Sequence, residues 1–236
     1  MPNPYFSFKQ FTIHHDRCAM KVGTDGVLLG AWADVSAARH ILDIGTGTGL
    51  IALMMAQRNP DARIVGIDID REAVEQAREN IADSPWKDRV EVVLQDVCTY
   101  HPSASFDVIV SNPPYFVNAL KCPDGQRNAA RHTDCLDFEG LTASVSRLLS
   151  PQGTFSVIIP TDGMEDFLRS ASHHGLHLSR RTWVHTKPDA SPKRVLLAFN
   201  RPAEKNCTEN HLVIELSRHV YSAEYTALTR DFYLKM

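Results

Sequence analysis

Asn112-Pro113-Pro114-Tyr115 sets two consecutive prolines directly after the apolar run Phe106–Ser111. Prolines remove backbone donors and fix φ, so the neighbouring carbonyls are held rigidly with nothing to accept from. Such a turn presents hydrogen-bond acceptors to a ligand. An exocyclic amino nitrogen conjugated with a ring or a carbonyl is a poor nucleophile, because its lone pair is delocalised. The Asn112 side-chain oxygen and the Pro113 carbonyl, accepting its two hydrogens, would draw that nitrogen toward a tetrahedral shape and turn its lone pair outward. Tyr115 is placed to stack on the planar group that carries it. Taken alone, the tetrapeptide could equally be a rigid loop.

A second constellation is Asp43-Ile44-Gly45-Thr46-Gly47-Thr48-Gly49, followed by Asp68 about 20 residues on. Glycines here let the backbone approach a ligand closely, and an acid at that distance reaches a ribose diol. The spacing is G-x-G-x-G, so the last glycine of the dinucleotide fingerprint is displaced and the case for a bound diphosphate weakens with it. Asp43, adjoining the loop, suits a cationic ligand better. For Asp61 and Asp70 capping or strand-end duty is the preferred reading.

The elements that must position these residues follow from hydrophobic period. Strands are expected at His40–Ile44, Arg63–Asp68, Val90–Leu94, Phe106–Ser111 and Thr154–Ile159, with helices to Gln57 after the glycine turn, over Arg71–Ala82, over Phe138–Leu149 and around Gly163–His173. Near-continuous apolar strands separated by crossover helices predict a doubly wound α/β fold with a mostly parallel sheet buried on both faces. Two further strands, roughly Leu176–His185 and Arg194–Asn200, are joined by the short loop Thr186–Lys193. They cannot both be parallel, because a parallel crossover needs a dozen or more residues; an antiparallel hairpin at or near the sheet edge is therefore expected. A capped helix is expected from Thr24 or Asp25 onward. The first fifteen residues show neither period, and residues 1–20 stand as a candidate mobile segment of a single domain over 1–236.

The glycine loop with its flanking acids resembles the class I S-adenosylmethionine-dependent methyltransferases. That resemblance implies that the loop (Asp43, Gly45, Thr46, Gly47) holds the amino-acid end of the cofactor. It also implies that Asp68 binds the ribose hydroxyls, that Asp96 accepts from the adenine amino group, and that Ile69 and Val97 belong to the same cofactor site. Asn112–Tyr115 resembles the catalytic turn of those members that methylate planar amino nitrogens: adenine N6, cytosine N4 or the glutamine side-chain amide. The lone pair would then be aimed at a methyl group. The run Met20–Trp32, Phe6–Phe11, Arg230–Lys235, Arg127–Thr133 and Ser191–Arg194 together resemble the bacterial adenine-N6 methyltransferases that modify valine transfer RNA, over essentially the whole chain. The resemblance adds Lys21, Thr24 and Asn112 to the cofactor site and implies a Rossmann-like methyltransferase sheet and adenine 37 of the anticodon loop as substrate. The release-factor glutamine methyltransferases share both motifs but carry a helical domain ahead of the cofactor fold, for which the 39 residues before the first strand are too few. A silent nucleotide-binding or scaffolding module is a third reading, disfavoured by the intact acceptor turn.

Composition sets the remaining expectations. With 43% hydrophobic and 22% charged residues the chain reads as globular. Its longest apolar runs, Val27–Ala33 and Leu50–Ala56, have seven residues, where a membrane span needs about 20. Without a basic, apolar leader at Met1–Gln10 it is expected in the cytoplasm, as a monomer without a metal ion. The five scattered cysteines read as reduced thiols, and His14-His15 and His173-His174 as surface residues lacking a paired acid. The net charge of −3 gives no global pull on a polyanion, but the seven basic residues from Arg169 to Arg201 face a single acid, Asp189. An RNA grip is therefore sought in Lys121, Arg127 and Arg131, and in Lys193 and Arg194, for which keeping an edge strand soluble is the alternative use.

Overall fold

The computed structural model describes residues 3–18, 21–114, 136–202 and 207–235. Its helices are α1 (Thr24–Trp32), α2 (Leu50–Arg58), α3 (Arg71–Ala82), α4 (Phe138–Leu148), α5 (Met164–His173) and α6 (Ala223–Thr229). The strands are β1 (Tyr5–Ser7), β2 (Thr12–His14), β3 (His40–Ile44), β4 (Arg63–Asp68), β5 (Val90–Leu94), β6 (Phe106–Ser111), β7 (Leu149–Pro160), β8 (His177–His185), β9 (Arg194–Asn200), β10 (Thr208–Val213), β11 (Glu215–Ser217) and β12 (Val220–Tyr221). Eight of them form one sheet in the order β10-β8-β9-β7-β6-β3-β4-β5.

The sheet is parallel except at β9, which runs against both β7 and β8. One face carries α1, α2 and α3, the other α4 and α5, and each face closes over its own apolar core. That is why Ile41, Leu42, Ile109 and Val110 are all buried although consecutive residues point to opposite faces. Helix α1 is buried from Gly26 to Trp32. Its glycines Gly26 and Gly30 make room for α2: a Cβ on Gly30 would lie 2.7 Å from the Met54 sulfur, and one on Gly26 3.1 Å from Leu50 Cδ2.

The antiparallel β8–β9 hairpin lies near the sheet edge as expected, with β9 third from it, because β10, whose Thr-Glu-Asn-His stretch is exposed and gives no apolar signal, pairs parallel to β8 outside it. Two expectations are revised. The aromatic N-terminal stretch forms a hairpin, β1–β2. Phe8, Phe11 and Ile13 are buried there, with Phe8 stacked on Phe11 (4.7 Å) and on Tyr233 (5.8 Å), so a tertiary cluster settles what period could not. Helix α1 is capped by Gly23 without a side-chain bond, so capping does not explain Thr24 or Asp25. Among the described residues no helix is long and apolar enough to cross a membrane.

Candidate active site

In register, Ile44 of β3 lies beside both Ile67 of β4 and Ser111 of β6, and Asp68 lies beside Leu94 of β5. The glycine loop, Asp68, Asp96 and Asn112 therefore leave one edge of the sheet from adjacent strands, each spaced about 4.8 Å from the next. The chain order reverses between β3 and β6, which is where open α/β sheets form their ligand crevice. The glycine loop flanks that crevice on one side and the acceptor turn on the other.

Gly45, Gly47 and Gly49 all have positive φ (69°, 54° and 80°), a region that side chains avoid, so each glycine of the motif is a conformational requirement. The loop is fastened from below. Gly45 and Thr46 amides donate to the Ile67 carbonyl (2.9 and 3.0 Å), and the Gly47 amide donates to Asp68 Oδ2 (2.9 Å). Asp68 Oδ1 accepts from the Asp70 amide at 3.0 Å, so this carboxylate orders its own loop as well as facing the crevice. Asp43 is fully buried. Thr46 Oγ1 donates to its Oδ2 at 2.7 Å, whereas Oδ1 is buried and makes no hydrogen bond of normal geometry. Desolvation pushes this carboxyl up to about 7, against the pull of the Thr46 hydroxyl and the Ala52 amide. An incompletely satisfied buried acid beneath a glycine cradle is an environment that a cation above the loop would stabilise, and in that sense the residues fit a sulfonium cofactor bearing an ammonium group.

Gly66 is a site residue that the sequence pattern does not reveal. A Cβ there would stand 2.7 Å from Thr46 Oγ1 and 3.0 Å from Thr46 Cβ. Gly66→Ala is expected to displace Thr46 from Asp43, to lower stability by about 1–3 kcal/mol, and to weaken cofactor binding. Thermal melts and calorimetric titration with S-adenosylhomocysteine check both, and unchanged values would show that Thr46 can yield at no cost.

On the other side, Ser111 Oγ donates to the Ile44 carbonyl (3.0 Å) and ties the end of β6 to the start of the glycine loop. Asn112 is half-buried, and Pro113 is buried beside it. A Cβ on Gly26 would come within 4.0 Å of Asn112 Nδ2, which places the first turn of α1 at the acceptor turn. One residue earlier, Asp25 Oδ2 accepts from Arg194 Nε at 2.8 Å, a contact spanning 169 positions. Arg194 is thus held at the mouth of the crevice, and because β9 lies inside the sheet, keeping an edge strand soluble is not its use. Other arginines of the same basic segment are also engaged internally: Arg169 with Asp166, Arg181 with Glu209, Arg180 over the Trp32 ring at 3.6 Å, and Arg201 on the Ser146 and Leu149 carbonyls. Lys187 and Lys193 are exposed, without an ion pair among the described residues. Tyr115, Lys121, Arg127 and Arg131 lie outside the described residues.

Of the remaining predicted residues, Ile69 is 52% exposed on the crevice edge, as an apolar platform for a planar group would be. Asp96 Oδ1 accepts from the Cys98 amide (2.8 Å), so capping of a short 3-10 turn is part of its work. The Val97 side chain is buried in the core and leaves only its backbone to offer. Lys21 and Thr24 are exposed at the entrance to α1. Asp70 caps α3 by accepting from the Glu72 amide (2.9 Å), as its bland reading requires. Asn80, buried on α3, donates to the carbonyls of His14 and Thr48 and accepts from the His14 amide, joining the N-terminal hairpin to the glycine loop. Burial first, then Asp68 and Asp70, push the Cys18 thiol up to about 11, which keeps it an inert neighbour of the crevice.

The histidine expectation needs correcting. His15 is buried, with Nδ1 accepting from Val22 and Nε2 bonded to the Asn3 carbonyl. His174 and His173 do have a paired acid: Glu139 Oε1 lies 2.7 and 3.4 Å from them. The acid for His173 and His174 comes from another helix, remote in sequence, whereas the partners of His15 lie only 7 and 12 positions away.

Comparison with known proteins agrees with this geometry. Residues 20–134 match the family model described as methyltransferase small domain. The chain is 68% identical to the tRNA1(Val) (adenine(37)-N6)-methyltransferase of Phocaeicola vulgatus, covering all of both chains. It is 56% identical to the protein of that name from Bacteroides thetaiotaomicron, again covering all of both. With its namesake in Serratia proteamaculans the identity is 46%, over 97% of this chain and 89% of the other. Among solved structures, a predicted O-methyltransferase from Agrobacterium tumefaciens superposes with a TM-score of 0.69 at 21% identity, over 88% of this chain and 96% of the other. The N-methyltransferase NodS from Bradyrhizobium japonicum gives 0.54 at 17% identity, over 74% and 92%. At those identities the structures speak for the fold alone.

Proposed function

The chain belongs to the tRNA1(Val) (adenine(37)-N6)-methyltransferase family, and on that premise we infer that it transfers a methyl group from S-adenosylmethionine to the exocyclic N6 of adenine 37 in tRNA1(Val). The observation that carries this reading is the placement of the Asn112 turn and the glycine loop on either side of one switch-point crevice. Bound S-adenosylmethionine supplies a methyl group already activated by its sulfonium charge. The protein's task is then positioning, which can contribute about 7–11 kcal/mol when reacting atoms are held in line.

In this reading the glycine loop and Asp43 face the amino-acid end of the cofactor. Asp68 takes the ribose hydroxyls, Ile69 lies against the adenine, and Asp96 with the Val97 backbone receives its edge. Asn112 Oδ1 and the Pro113 carbonyl accept the two N6 hydrogens, so that the lone pair points at the methyl group, and Tyr115 stacks on the base. Once N6 has gained the methyl group its extra proton leaves to solvent, and no tuned general base is required. Arg194, fixed by Asp25, braces α1 against this turn. Lys193, with Lys121, Arg127 and Arg131, provides phosphate contacts. The target lies in a single-stranded loop, so turning it outward costs at most a few kcal/mol and the grip can be modest. We place the enzyme in the cytoplasm as a single-domain monomer that uses no metal.

The test is incubation with labelled S-adenosylmethionine and unmodified tRNA1(Val), followed by digestion to nucleosides. Label is expected in N6-methyladenosine, and it should vanish when adenine 37 is replaced by guanine. No label in N6-methyladenosine, or label that persists when adenine 37 is guanine, would overturn the reading.

A further inference from the structure

Past Val213 the chain leaves the same sheet edge as the crevice and forms the hairpin β11–β12. Its base is firmly fixed. The Ile214 and Glu215 amides donate to the His185 and Thr186 carbonyls (2.8 and 3.1 Å), and the Ser222 amide and hydroxyl close on Ile214 and Val213 (3.0 and 2.5 Å). Arg218 and His219 form the tip, with His219 at a φ of 63°. Leu216, Val220 and Tyr221 are 54%, 51% and 40% exposed, so the hairpin turns outward apolar surface that the core does not use. Tyr221 is steadied by Tyr225, their ring centroids 5.3 Å apart.

The hairpin shares its edge with the β8–β9 loop, and there Lys187, Lys193 and Arg218 outnumber Asp189 and Glu215. From β6 to β10 is four strand spacings, so the hairpin stands roughly 19 Å from Asn112, about the width of a nucleic acid duplex. Two short strands are far smaller than the roughly 20–30 residues a side of a stable protein interface. Resting on the tRNA reading above, we propose that the β11–β12 hairpin is a second holding point for the substrate: Arg218 meets a phosphate of the anticodon stem and Tyr221 packs on its backbone sugars, while the adenine of the loop reaches Asn112.

The experiment uses the full-length enzyme with unmodified tRNA1(Val) and with an RNA reduced to the anticodon loop and its closing pairs. An Arg218→Ala/Tyr221→Ala variant should bind tRNA about tenfold more weakly and show a salt slope shallower by about one unit. Its affinity for S-adenosylhomocysteine and its kcat at saturating tRNA should be unchanged, and on the reduced RNA it should match the wild type. Arg218→Lys should recover the slope, which repair of a folding defect would not do. Wild-type affinity and slope in the double variant would overturn the proposal. So would loss of a sedimenting dimer with tRNA binding intact, which would assign the hairpin to self-association. If the wild type methylates no tRNA adenine, the failure lies instead with the functional reading.

Discussion

Replacing Asn112 by alanine is expected to slow methyl transfer by about 10²–10³-fold, the usual consequence of removing one preorganised hydrogen-bonding group from a reacting centre. The neutral amino group of adenine must lose conjugation to react, and no charged group in the turn does that work for it. In the proposed mechanism two fixed acceptors do, and Asn112 provides one. Its backbone is set by Pro113 on one side and on the other by Ser111, whose hydroxyl is tied to Ile44. The alanine variant should therefore keep its fold and its tRNA affinity while losing rate. Asn112→Asp retains an acceptor oxygen and should lose less than Asn112→Ala. Single-turnover rates with saturating tRNA read the effect directly. A rate within a few-fold of wild type would remove the side-chain oxygen from the mechanism and leave the Pro113 carbonyl alone.

What the sequence made legible, and what it did not, divides along a physical line. Strands β3 to β6 and helix α3 match the expected bounds because each buries apolar residues at a regular period, and period is local. The motifs were legible for the same reason: three glycines that need positive φ, or two prolines that fix φ, act within a few residues of themselves. Long-range partnerships were not. Arg194 looks like a loop cation until Asp25 is found beside it, and His174 looks unpaired until Glu139 arrives from another helix. Gly66 carries no local signal, though its missing side chain is the space that Thr46 fills. Strand β10 carries no signal over its exposed, polar first half, and β11 and β12, of three and two residues, are too short to show a period.

Asp43→Asn is expected to weaken S-adenosylhomocysteine binding by about thirtyfold above neutral pH and to abolish its pH dependence. In the proposed reading this buried carboxyl faces the ligand's ammonium across the glycine loop. For opposite unit charges, a separation of about 8 Å at an effective dielectric of about 20 would correspond to about 2 kcal/mol, the origin of the expected thirtyfold. Burial holds this carboxyl at about 7 in the cofactor-free protein, far above its ordinary value of 3.8. A cation favours the ionised form, so binding near pH 6–7 should expel a proton, and affinity should climb with pH before levelling off above about 8. Stability has the opposite sign. Between about 4 and 7 the folded chain keeps a proton that the unfolded chain has released, so this group's contribution is full at low pH and is lost as pH rises through 7. Without a buried charge, the asparagine variant should melt at the same or a higher temperature than wild type at pH 8, even as it binds cofactor more weakly. Calorimetric titrations from about pH 5.5 to about pH 8.5, in two buffers of different ionisation enthalpy, measure both affinity and proton release. A flat wild-type profile, or the same slope in the variant, would remove Asp43 as the counter-charge and leave the loop amides and Asp68 to hold the cofactor.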